Sequence, residues 1–174
     1  MKTLFGIGLL FGVLGVFGLA QAQSDLGRLD EKFARHIEKM MPEWKHERAE
    51  PVSKDENVLI QFWSLSDRSV KISVVPHRSA SEARDALQEF VKYDPEKEVL
   101  SGTGDEAYAW GYGLSKIAFR KGRFNVYVST TADIGAKPEE RSLSQDQRFD
   151  IMKSEMRKWS RIFAKHAADA VDAP

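Results

Sequence analysis

The sequence predicts an α+β domain: a mainly antiparallel sheet of five or six strands with two or three helices, at least two packed on one face. Three observations carry this. Ile117 and Phe119, and Phe124, Val126 and Val128, recur at every second position on either side of a short turn, as a hairpin with one buried face requires. Two capping boxes, Ser79-Ala80-Ser81-Glu82 and Ser144-Gln145-Asp146-Gln147, each open a stretch whose apolar residues recur every three or four positions. Finally, 174 residues at 42% hydrophobic and 30% charged are enough to bury one self-sustaining core.

The first residues stand apart from that domain. Met1-Lys2 gives a short positive start, residues 4–20 are dominated by apolar residues and glycine, and Ala20-Gln21-Ala22 is an A-x-A site. This order predicts a signal peptide over residues 1–22, cleaved before Gln23, with residues 23–174 as a single domain. An uncleaved anchor is the alternative, but the run is just short of spanning length and rich in glycine. The expectation is therefore export, to the periplasm or out of the cell, with no stable membrane insertion after cleavage. The chain has no cysteine, which excludes disulfides, thiolate metal sites, a catalytic thiol and a lipid attachment point. Basic and acidic residues balance at 26 each, and losing Lys2 leaves the acids one ahead. No global field then recruits nucleic acid or an anionic membrane.

From Ser24 the spacing of Leu26, Leu29, Phe33, Ile37 and Met40 predicts an amphipathic helix ended by Pro42, with Lys32, Arg35 and Lys39 on its solvated side. Residues 43–57 are charged and lack periodicity, so they read as a connector that lays Trp44 over the core edge. A strand follows over 58–65. Val58, Ile60 and Phe62 lie on one face, and Leu59, Trp63 and Leu65 with Gln61 on the other, so it is covered on both sides or presents an aromatic surface. After the turn Ser66-Asp67-Arg68-Ser69, Val70, Ile72 and Val74 mark a half-buried strand closed by Pro76.

The first capped helix buries Ala83, Ala86, Leu87, Phe90 and Val91 and stops at Asp94-Pro95, after which residues 98–101 begin another strand. A Lys121-Gly122 turn is expected to pair Phe119 with Phe124 and Ile117 with Val126. Lys116, Arg120, Arg123, Asn125 and Tyr127 then lie on the opposite face. Residues 132–143 read as loop. The last helix carries Phe149, Met152, Met156, Trp159, Phe163, His166 and Ala170 on one stripe about 35–40 Å long. The two capped helices are expected on the same sheet face, with the first helix joining them or covering the second face. Arg157, Arg161 and Lys165 form a basic ridge whose default reading is a solvated face.

No local motif assembles a catalytic centre. Gly102-Thr103-Gly104-Asp105-Glu106-Ala107 matches a dinucleotide fingerprint on paper, yet strand-like residues follow where a helix is needed. It also echoes an intramembrane aspartyl protease motif, for which the mature chain offers no span. Asp105 and Glu106 are adjacent on an extended segment and point to opposite faces, so a turn bond or an ion pair with Arg120 or Arg123 is expected instead. None of His36, His46, His77 and His166 is three or four positions from another, so no helical metal pair exists, although distant ligands can converge in space. No metal site, no cofactor and no catalytic residue are assigned. A hydrolase assembled from distant groups such as His77, Asp105 and Arg120 remains the enzymatic alternative.

Tyr108, Trp110 and Tyr112 alternate and share a face if the segment is regular. An even-numbered loop after them places them in the core with Ile117 and Phe119, which is the expected outcome. An odd-numbered loop turns them outward with Tyr127. Outward, with Trp63, they form an aromatic platform for sugar, peptide or apolar ligand. Trp63, Tyr108, Trp110, Tyr112 and Tyr127, with Asp105 and Arg120, are the candidate ligand-binding residues.

The capped helix, the segment Gly102-Thr103-Gly104-Asp105-Glu106-Ala107-Tyr108-Ala109-Trp110 and the strand Ile117-Ala118-Phe119-Arg120-Lys121-Gly122-Arg123 together resemble a family of exported bacterial domains of unknown function. Its members carry a Gly-x-Gly-Asp-Glu-Ala-Tyr segment before a Phe-Arg-x-Gly hairpin. The likeness covers about residues 57–131 and implies an exported α+β domain, with no catalytic residue to carry over. The sequence thus points to an exported, non-enzymatic binding or interaction module for an unidentified ligand or protein. The alternatives are the hydrolase above and a structural domain that pairs with a second copy of itself.

Overall fold

The computed structural model describes residues 14–47, 58–135, 140 and 142–172. Helix α1 (Leu14–Met40) leads into strand β1 (Lys45–Glu47); β2 (Leu59–Leu65) and β3 (Arg68–Pro76) form a hairpin, and α2 (Ala80–Val91) follows. Then come β4 (Glu98–Leu100), β5 (Glu106–Trp110), a 3-10 turn at Tyr112–Leu114, β6 (Lys116–Lys121), β7 (Phe124–Ala132) and α3 (Gln145–Asp172). The strands form one open sheet in the order β1-β2-β3-β7-β6-β5-β4, with every neighbouring pair antiparallel. Among the described residues no helix is long and apolar enough to cross a membrane. Helix α1 runs without a break through Ala20-Gln21-Ala22, while residues 1–13 of the expected leader lie outside the described residues.

The α+β class is as expected, but the sheet has seven strands rather than five or six. The extra strand is β1, inside the segment read as a connector. Its three residues, Lys-His-Glu, have no apolar alternation to announce them, and it exists because it pairs with the end of β2 and stacks His46 on Trp63 at 4.5 Å.

The main core lies between the sheet and the pair α1/α3. Leu26, Leu29, Phe33 and Ile37 of α1 and Phe163, Ala164, Ala167 and Ala170 of α3 close over Trp63, Val70, Ile72, Ile117, Phe119, Val126 and Val128. Met41, not Met40, completes the α1 stripe; Met40 is exposed. Trp44 is buried rather than peripheral, edge-on to Trp159 at 4.9 Å and to Phe163 at 4.7 Å. Buried Gln61 fastens α1 to the sheet: its amide donates to the Asp30 carbonyl (2.9 Å) and carboxylate (2.7 Å), and its oxygen accepts from the Trp63 indole at 3.1 Å.

The second capping box forms in full, and the first with its return bond shifted to the residue before the cap. Ser79 accepts from the Glu82 amide while the Glu82 carboxylate reaches back to the Arg78 amide, and Ser144 and Gln147 bond reciprocally. The two capped helices do not share a face, however. Helix α2 buries Leu87 and Val91 against Ala118, on the side of the sheet opposite α3, and it is α1 that joins α3. An amphipathic stripe states that a helix must be covered, and the connection out of β3 decides on which side.

The β6–β7 turn is Gly122-Arg123, one position beyond the expected Lys121-Gly122. Phe119 therefore pairs with Val126, and Ile117 with Val128. The displacement is two residues in register, an even number, so every side chain keeps its expected face.

Candidate functional site

The second sheet face is only half covered. Helix α2 has 12 residues, about 18 Å, and starts beside the β6–β7 turn, where the Asn125 amide donates to the Ala83 carbonyl at 2.9 Å. From there it runs over Ala118 and Tyr127 and ends at Val91. The cross-strand row of Phe62, Lys71, Ser129, Lys116 and Trp110 lies beyond its end.

A cleft of about 290 Å³ opens at this end. Its walls are Phe90 of α2 and Trp110 and Tyr127 of the sheet, with Lys71, Lys116 and the hydroxyls of Ser73 and Ser129 at its rim. The Phe90 ring sits edge-on to Tyr127 at 4.7 Å and to Trp110 at 5.7 Å, yet the residue is 55% exposed. An exposed phenylalanine bracketed by two half-buried aromatics forms a three-sided apolar wall with a basic edge. Burial raises the Tyr127 hydroxyl above its ordinary value, partly offset by its bond with Asn125. The hydrogen bond to Glu106 (2.7 Å) does the same for Tyr108, aided by burial. Both phenols are therefore protonated at neutral pH.

The aromatic run points outward, not into the core as expected. Residues 111–115 separate β5 from β6, and with Trp110 opposite Lys116 this odd-numbered loop sets Trp110 and Tyr108 on the face of Tyr127. Tyr112 does not join them. It lies in the 3-10 turn, 53% exposed, with the Lys153 ammonium over its ring at 5.3 Å. Trp63 is fully buried on the opposite face and contributes nothing to the platform. Nothing in the sequence marks Phe90, Lys71 or Lys116 as site residues. Phe90 reads as helix core, and a lysine on a strand gives no sign of which cavity it borders.

Asp105 and Arg120 form a structural staple. The Asp105 carboxylate accepts from Arg120 Nη1 at 2.8 Å and from the Gly122 amide at 2.9 Å, with Lys121 Nζ at 3.7 Å. The staple is sealed from behind by the Asp105 amide donating to the Arg120 carbonyl at 2.8 Å. His77 is engaged elsewhere, with its ring 3.0 Å from the Asn125 amide and its carbonyl accepting from Arg123. The three groups of the hydrolase alternative thus serve the turn and the α2 connection, and none lines the cleft.

The structure also brings together two histidines that sequence spacing kept apart. His36 Nε2 of α1 lies 3.3 Å from His166 Nδ1 of α3, and burial, then the neighbouring His36, lower the His166 pKa below its usual value. Comparison of the chain with known protein families, with curated proteins and with solved structures finds no match.

Proposed function

We propose that this chain is an exported, non-enzymatic binding module. Its ligand enters the cleft between the end of α2 and strands β3, β7, β6 and β5. The observation that supports this reading is the wall formed by Phe90, Trp110 and Tyr127 in a cleft that Lys71 and Lys116 also line. At about 290 Å³ the cleft is at the small end of ligand sites, so it suits a compact ligand or one ring of a larger one. Stacking aromatics favour a flat or ring-shaped apolar face, and two lysines and two serines at the rim favour an anionic or hydroxyl-bearing edge. An acidic sugar unit and an aromatic carboxylate both have this character.

Tryptophan fluorescence tests the reading. Trp44, Trp63 and Trp159 all belong to the α1/α3 side, so a ligand in the cleft perturbs Trp110 alone. Titration with a panel of acidic oligosaccharides, aromatic carboxylates, peptides and lipids is expected to give a saturable change that Trp110→Phe abolishes. The double variant Lys71→Glu/Lys116→Glu is expected to weaken it about tenfold or more by reversing the charge of the rim. A panel without any saturable response, or a response that survives Trp110→Phe, rejects the cleft as the binding site.

A further inference from the structure

The contact between α1 and α3 contains a constellation separate from the cleft, on the other side of the sheet. His36 and His166 face one another, and Asp169 follows His166 by three residues, hence on the same face of α3. One ligand atom from each of the three lies within 4.8 Å of the others. The two imidazole nitrogens are 3.3 Å apart, with ring planes inclined at 55°. Two nitrogens bound at about 2.05 Å to a tetrahedral zinc ion stand about 3.3 Å from each other. The observed separation matches the spacing such an ion requires.

We propose that His36, His166 and Asp169 bind one divalent ion of the zinc class, clamping the first helix of the domain to the last. Two imidazoles and one carboxylate select a borderline metal over magnesium or calcium, which take all-oxygen sites. The two histidines sit on fixed backbone. Ile37, next to His36, and Ala167, next to His166, are fully buried, and Phe33 and Phe163, each three residues before its histidine, are buried with them. Asp169 supplies the movable ligand. Its carboxylate holds Lys165 at 3.1 Å, but both partners are largely exposed, and such a pair is given up at small cost. The exposed side of Asp169 leaves the fourth position to water, the usual arrangement for a site with three protein ligands.

Two imidazoles at 3.3 Å can also share a hydrogen bond with no metal at all, and the experiment separates the two cases. Zinc chloride titrated calorimetrically into the metal-stripped full chain is expected to bind one-to-one at micromolar or tighter affinity and to raise the melting temperature. Magnesium and calcium are expected to do neither. His36→Gln and His166→Gln are each expected to weaken zinc by about tenfold or more, and Asp169→Asn by less. Because glutamine at either position can disturb the helix contact, cobalt(II) added to the unaltered chain gives a second readout. The visible absorption of a four-coordinate ion, with two imidazoles per metal by X-ray absorption, supports the site. Absence of saturable zinc binding, affinity unchanged in the double histidine variant, or an all-oxygen six-coordinate cobalt spectrum overturns it.

Discussion

Gly102 and Gly104 look alike in the sequence and differ in what surrounds them. Both have positive φ, +75° and +63°. A Cβ on Gly102 meets nothing within 4 Å, whereas one on Gly104 falls 2.5 Å from the Arg120 carbonyl oxygen and 2.8 Å from the Phe119 ring. Gly102→Ala is therefore expected to cost about 1 kcal/mol, the strain of a left-handed residue. Gly104→Ala adds an unyielding backbone clash and is expected to cost about 2–4 kcal/mol. Urea denaturation of the two variants measures the difference, and equal losses contradict the account. The turn character of this segment was legible from its glycines and from Asp105. The packing of Gly104 on a strand fifteen residues later was not, because nothing local records that approach.

Elements are joined by a few specific contacts, and the tie between β3 and α3 is one that depends on pH. Glu155 accepts from Arg68 Nε at 2.8 Å and from the Trp159 indole at 3.0 Å, while Asp67 also pairs with Arg68. Burial alone pushes the Glu155 carboxyl up, but the bonds from Arg68 and Trp159, with the charges of Arg68 and Lys158, outweigh it and hold the pKa below the ordinary glutamate value. A carboxylate whose folded pKa is depressed binds fewer protons than in the unfolded chain. Its contribution is therefore present above about pH 4.5 and lost as pH falls through the folded value. Glu155→Gln is expected to cost about 1–2 kcal/mol at pH 7 and progressively less below pH 4.5, as chemical denaturation across pH can show. A deficit that stays constant with pH assigns the loss to packing. At this scale the sequence announced helices, strands and caps through period and spacing. It was silent on β1, whose charged residues have no period, and on the side chosen by α2.

Across the whole molecule the two faces of the sheet divide the labour. The α1/α3 face is closed by large apolar side chains, and the α2 face by a smaller cluster of Ala83, Leu87, Val91 and Ala118, with half-buried Tyr108, Trp110 and Tyr127 packed against it. Phe163→Ala is expected to cost about 3–5 kcal/mol, while Trp110→Phe, at a half-buried position, is expected to stay within about 1.5 kcal/mol. Thermal unfolding compares them, and a larger loss for Trp110→Phe assigns that ring to the core. Which face received the aromatic run depended on the parity of one loop. Residues 111–115 wind through a 3-10 turn whose Leu114 carbonyl accepts from Ser160 of α3, a length set by the distant helix and not by strand alternation.

The short reach of α2 also bears on how the domain moves. A helix seated by so few buried side chains lifts away at a smaller free-energy cost than the sheet beneath it takes to come apart. Phe90, at its last turn, is both part of that seat and a wall of the cleft. Any occupant lodged against this ring is therefore expected to act as a latch that holds α2 to the sheet.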